Sequence, residues 1–184
     1  MIITGNLQWI ATQTASGSPS LNFDNQFSSS YIYYCLVLKN ILPDSANANL
    51  CLRLGTGSGS YISSGYIYQL SDIANGGSNQ SSPGYIGTAF NEVLLTFGSG
   101  KGISTSSTYG GVNGTVDLFI DSGSSNIGGG TSQMSYESYN DIANYVNTTG
   151  SFQQPAANFT SVQLLMDTGN IASGAAYLYG LTAS

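Results

Sequence analysis

The chain has 184 residues, and only 7% of them are Asp, Glu, Lys or Arg, against roughly 25% in an ordinary soluble domain. It has no histidine, and its net charge of −6 sets nine acids against Lys39, Arg53 and Lys101. Three scattered cations exclude a phosphate-binding patch for nucleic acid or an anionic membrane, and acid–base or nucleophilic catalysis finds few residues to use.

Hydrophobic residues make up 41% of the chain, which suits one domain, residues 1–184, with a real core. No run of about eighteen apolar residues occurs, so no transmembrane helix is expected. The start, Met1 to Gly5, lacks the basic opening and long apolar run of a signal peptide. Synthesis in a cytoplasm is the expectation, which fits a bacterial product released by lysis as well as one that stays inside.

Short apolar runs broken by Gly, Ser and Asn predict strands throughout. Leu7–Thr14, which carries the single tryptophan Trp9, comes first, followed by Ser20–Asp24. Tyr31–Leu38 is apolar on both faces and predicts a central strand, covered on both sides or by a neighbouring subunit. Leu50–Leu54 alternates, with three leucines on one face and Arg53 on the other. Cys35 and Cys51 fall in these two runs; they read as free buried thiols, a cross-strand disulfide being the other reading.

Tyr61–Leu70 and Asn91–Phe97 are the next predicted strands. In Thr115–Asp121, Val116, Leu118 and Ile120 face inward, while Asp117, Phe119 and Asp121 face outward. Gln133–Tyr136, Ser161–Met166 and Ala175–Leu181 complete the set, and only Tyr139–Tyr145 suits a helical turn. Ala175–Leu181 is apolar on both faces, so it predicts a core strand and not a tail. Strands at this spacing predict an all-β fold, an antiparallel β-sandwich of jelly-roll type, with barrel closure the other solution. Asn75–Gly84 and Ser122–Thr131 are polar and Gly-rich, and predict surface loops that face a partner.

Candidate chemistry is sparse. Asp117 and Asp121 lie four residues apart on one strand face, roughly 13 Å, too far for a glycosidase pair. Glu137 and Asp141 flank Tyr139 and suit capping or solvation. Gly98-Ser99-Gly100-Lys101-Gly102 lacks the Ser/Thr ending and following helix of a phosphate loop. No catalytic residue, cofactor or metal is expected. The thirteen tyrosines are the notable resource. Tyr61, Tyr66, Tyr68, Tyr85, Tyr109, Tyr136, Tyr139 and Tyr145 lie in or near polar, Gly-rich sequence, and are the candidates for a partner-facing or glycan-facing surface. Packing along sheet faces or subunit contacts is the competing reading.

Several segments resemble a group of small Tyr/Ser/Gly-rich β-sandwich structural proteins of tailed bacteriophages. Thr12-Gln13-Thr14-Ala15-Ser16 followed by Ser20-Leu21-Asn22-Phe23 is similar to their first hairpin. Tyr31 to Leu38 with Ile41-Leu42-Pro43 is similar to their second strand and its Pro turn. Leu50 to Leu54 followed by Gly57-Ser58-Gly59-Ser60-Tyr61 resembles another of their segments. Near the end, Val162 to Leu165, Thr168 to Gly174 and Tyr177 to Leu181 carry the strongest likeness. The resemblance covers the two ends of the chain more than Gly65–Tyr145. It implies a non-enzymatic virion protein, exposed as a fibre or receptor-binding component, with capsid decoration and a standalone carbohydrate-binding module as alternatives. The expected partners are further copies of the chain, most simply as a homotrimer, other virion proteins and a host-surface glycan. Neither nucleic acid nor membrane insertion is expected.

Overall fold

Alternating and doubly apolar runs need sheet pairing to satisfy their backbone groups, and two antiparallel sheets provide it. The computed structural model describes residues 6–74, 80–81, 85–96, 102–120, 128–139, 145–154 and 157–182. The strands are β1 (Leu7–Ser18), β2 (Ser20–Phe23), β3 (Tyr31–Pro43), β4 (Leu50–Gly57), β5 (Ser60–Tyr61), β6 (Tyr66–Ala74) and β7 (Gln80–Ser81). They continue as β8 (Tyr85–Phe90), β9 (Val93–Leu94), β10 (Val112–Phe119), β11 (Gly128–Glu137), β12 (Tyr145–Gln154), β13 (Ser161–Met166) and β14 (Ile171–Thr182). One 3-10 turn, Ser107–Tyr109, precedes β10. Among the described residues no helix is long and apolar enough to cross a membrane.

The large sheet runs β1-β14-β3-β10-β11-β12-β6, with β7 and β8 both pairing to β6. The small sheet runs β2-β13-β4-β5, with β9 also pairing to β4. All pairings are antiparallel. The inner faces of both sheets form one apolar core, so the fold is an antiparallel β-sandwich. Leu50, Leu52 and Leu54 of β4 are fully buried, as are Val116 and Leu118 of β10, on the faces the alternation predicts. Ser161–Met166 is a strand with those bounds, and Ala175–Leu181 lies within β14, between β1 and β3.

Several boundaries differ from the sequence reading. Tyr61–Leu70 is two strands on different sheets, because the chain crosses the sandwich between β5 and β6. The predicted loop Ser122–Thr131 is strand from Gly128 onward. Its glycine there answers close packing and not a turn: a Cβ on Gly128 would lie 2.7 Å from the Phe159 ring. Ser122–Ile127 lies outside the described residues. Within Asn75–Gly84, Gln80 and Ser81 form β7 and the rest lies outside them. Of the predicted helical turn, Tyr139 lies in a turn, Tyr145 opens β12, and 140–144 lie outside the described residues.

Cys35 and Cys51 are free and buried, one on each sheet, as read for two thiols behaving as small hydrophobes. Burial pushes both thiols above their ordinary pKa, Cys51 furthest, so neither is a ready nucleophile.

Candidate functional site

The outer face of the large sheet is the broadest surface the fold builds from side chains of known register. Residues directly opposite each other on antiparallel strands share a face. One row across the sheet therefore runs Trp9, Tyr179, Cys35 and Asp117, then Thr131, Ser151 and Gln69. The next row sets Leu7 beside Leu181 and Tyr33 on one side, and Phe119, Gly129, Gln153 and Ile67 on the other. The Tyr33 and Phe119 rings join the two halves with centroids 5.6 Å apart.

The two halves differ in chemistry. The β1, β14 and β3 side is aromatic and aliphatic; Trp9 is 63% exposed, and its indole Nε1 donates to Thr12 Oγ1 at 3.0 Å. The β10, β11, β12 and β6 side is hydroxyl and amide, interrupted by the exposed Phe119 and Ile67. In these two rows the one charged residue is Asp117, and its carboxylate accepts a hydrogen bond from the Tyr33 hydroxyl. Burial first, and then that carboxylate, push the Tyr33 phenol above its ordinary value of 10.0.

The tyrosines singled out from the sequence divide. Tyr66, Tyr68 and Tyr136 are buried in the core, which corrects their reading as partner-facing. The Tyr66 hydroxyl accepts the Leu54 N–H at 2.7 Å and donates to the Ile62 carbonyl at 3.1 Å, bracing β4 from within. Tyr68 packs its ring on Phe90 with centroids 4.9 Å apart. Each sits at an inward position of its strand, and polar neighbours in sequence do not reveal that parity. Tyr61 is half-buried and donates to the Asp24 carboxylate, tying β5 to the end of β2. Tyr109 and Tyr139 are exposed, on the 3-10 turn and on the turn after β11. Tyr85 lies in β8 and Tyr145 in β12, and their side chains fall outside the described residues.

Of each acid pair one member lies among the described residues. Asp117 is engaged by Tyr33, and Asp121 and Asp141 lie outside the described residues. Glu137 is buried. Among the described residues no group of three or more His, Cys, Asp or Glu is placed to hold a metal ion. The sequence reading missed Tyr33, Tyr177 and Tyr179 as surface groups. For Phe119 the signal was present, since an aromatic ring at an outward position of an alternating strand has no core to enter. A comparison with protein-family models finds no match to this chain, and a comparison with curated proteins finds no similar sequence.

Proposed function

We propose that the chain is a non-enzymatic structural component of a tailed-phage virion, exposed at its surface and acting in host adhesion as part of a fibre. The observation that carries this reading is the outer face of the large sheet: aromatic, amide and hydroxyl groups in register, with Asp117 the one charge in its two main rows. Such a face loses little ion desolvation energy when covered, so it suits contact with other subunits or neutral ligands.

Strand order supports the jelly-roll assignment. β1, β14, β3 and β10 adjoin in one sheet, and β2, β13, β4 and β9 in the other. The chain changes sheet from β1 to β2, β2 to β3, β3 to β4, β5 to β6, β8 to β9, β9 to β10, β12 to β13 and β13 to β14, and the eight strands of the two four-strand sets wind as two Greek keys do. β6–β8 and β11–β12 then widen the large sheet beyond β10.

Self-association, as a homotrimer, belongs to the same proposal. β1 is an edge strand of 12 residues with no charge and no proline. Native edges of that length are ordinarily guarded by charge, proline or a bulge. Among the described residues the one guard here is an irregularity between Trp9 and Ala11.

Gold-labelled antibody against the purified protein, applied to intact phage particles from its source, tests the reading. Label on tail or head fibres is expected. Label on the capsid lattice moves the protein to decoration, and unlabelled particles overturn the virion assignment. Sedimentation showing only a 19.1 kDa species at micromolar concentration would overturn the oligomer.

A further inference from the structure

The geometry points to a saccharide-binding trough on the outer face of the large sheet, between Phe119 and Ile67, that takes an uncharged sugar. This deepens the adhesion reading above and rests on it only for the biological source of the sugar.

The trough has a volume of about 600 Å³ and is lined by Phe119, Gly129, Ser151, Gln153, Gln69 and Ile67, among others. That size suits a small ligand. Four of its lining residues stand in one row of the sheet: Phe119 on β10, Gly129 on β11, Gln153 on β12 and Ile67 on β6. Three strand spacings make that span roughly 14 Å, enough for two or three sugar rings end to end.

The depression is built in. Gly129 stands beside Phe119, and a Cβ there would lie 2.8 Å from the Phe152 carbonyl oxygen. A side chain is therefore disfavoured at the position that forms the floor. The Phe119 ring is 54% exposed and rises beside that floor, its other side packed against Tyr33. Ile67, 45% exposed, closes the far end.

The lining chemistry selects the ligand class. An exposed ring face and an aliphatic end accept the C–H faces of a pyranose. Gln69, Gln153 and Ser151 are exposed along the same stretch, and each both donates and accepts hydrogen bonds. Amides that do both match neighbouring sugar hydroxyls. Among the described residues the lining carries no charged side chain, so an anionic or cationic sugar would lose hydration with no counter-charge from them in return. The nearest charge along the rows, Asp117, is opposite Thr131 and already accepts from Tyr33.

The test is an array of purified bacterial surface oligosaccharides, uncharged and anionic, probed with the full chain. The best-bound sugar is then titrated by calorimetry. The wild-type protein should bind uncharged members and leave anionic analogues of the same backbone at least tenfold weaker. Phe119→Ala should weaken the titrated sugar at least tenfold, and Ser151→Trp, which fills the trough from an exposed strand position, should do the same. Ser58→Ala, in the exposed turn between β4 and β5 of the small sheet, should bind as wild type. Melting curves establish that each variant is folded. A blank array, preference for anionic sugars, or wild-type affinity in both trough variants overturns the proposal. So does conversion of an oligomer to monomer by Phe119→Ala with sugar binding intact, which would make the trough a contact between copies. Each of these results leaves the labelling of virions untouched, so the two readings fail separately.

Discussion

The Tyr33 hydroxyl donates a hydrogen bond to the Asp117 carboxylate across β3 and β10. Asp117 is directly opposite Cys35, so Tyr33 reaches it as the diagonal neighbour on the same face. A phenol in that position is held neutral by burial and by the adjacent anion. Tyr34, Tyr61 and Tyr66 are likewise pushed above 10.0, in each case by burial first.

These four phenols predict loss of stability in alkali. Their folded pKa values lie above the unfolded value of 10.0. Their contribution is therefore fully present below about pH 10 and is lost as pH rises through the folded values, because the unfolded chain sheds those protons first. The urea midpoint should be level on the neutral side of that point and fall beyond it. Tyr33→Phe and Tyr61→Phe should each flatten the alkaline decline. A midpoint unchanged well into the phenolate range contradicts the assignment.

Tyr66 and Trp9 should respond oppositely to substitution. Tyr66 is fully buried and its hydroxyl serves the Leu54 N–H and the Ile62 carbonyl. Tyr66→Phe leaves buried backbone groups without that partner and should destabilise the fold by roughly 1–3 kcal/mol. Trp9 is 63% exposed, so Trp9→Ala should fall within about 0.5 kcal/mol of wild type. Equilibrium urea denaturation of both variants reads the contrast.

That contrast also marks what the sequence could reveal. Leu50, Leu52 and Leu54 alternate with polar or small neighbours, and the face they share was legible from period alone. So were the inward Val116 and Leu118 and the outward Phe119. Tyr66 and Tyr68 were not legible, because the run Tyr66-Ile67-Tyr68-Gln69-Leu70 alternates large residues on both faces. Only the pairing of β6 with β12 and β8 tells which parity meets the core. β12 escaped notice because Asn147, Thr148, Thr149, Gly150 and Ser151 look like a polar turn. Its exposed Ser151 and Gln153 lie on the hydroxyl and amide half of the outer face of the large sheet. The trough is a product of register: Phe119 and Ile67 are 52 residues apart in sequence and share a row only because β10, β11, β12 and β6 adjoin.

The ion pair between Arg53 and Glu92 predicts a modest, salt-sensitive effect. Arg53 Nη2 donates to Glu92 Oε2 at 2.6 Å, joining β4 to the turn before β9, and both side chains keep partial exposure of 26% and 21%. Partial exposure screens the pair, so Glu92→Gln should cost about 1 kcal/mol or less. The difference from wild type should shrink as salt is raised. A loss larger than about 2 kcal/mol, or one indifferent to salt, would mean that the pair supports more of the β9 turn than its exposure implies.

The C-terminal strand should prove indispensable. β14 lies between β1 and β3 and pairs with both along nearly its whole length. Its inward residues Ile171, Ala176 and Leu178 are fully buried. Ending the chain at Gly174 removes most of the partner of β1 and opens the flank of β3, which exposes two long edges at once with Lys39 their one charge. Such a truncation should be insoluble or rapidly cleaved by protease. Because a failed fold gives no graded number, Leu178→Ala supplies one: it removes a packed side chain from the middle of the large sheet and should cost about 2–5 kcal/mol. A soluble truncation that melts at the wild-type temperature, or a Leu178→Ala protein as stable as the parent, would show that β14 is an accessory strand on a sandwich complete without it.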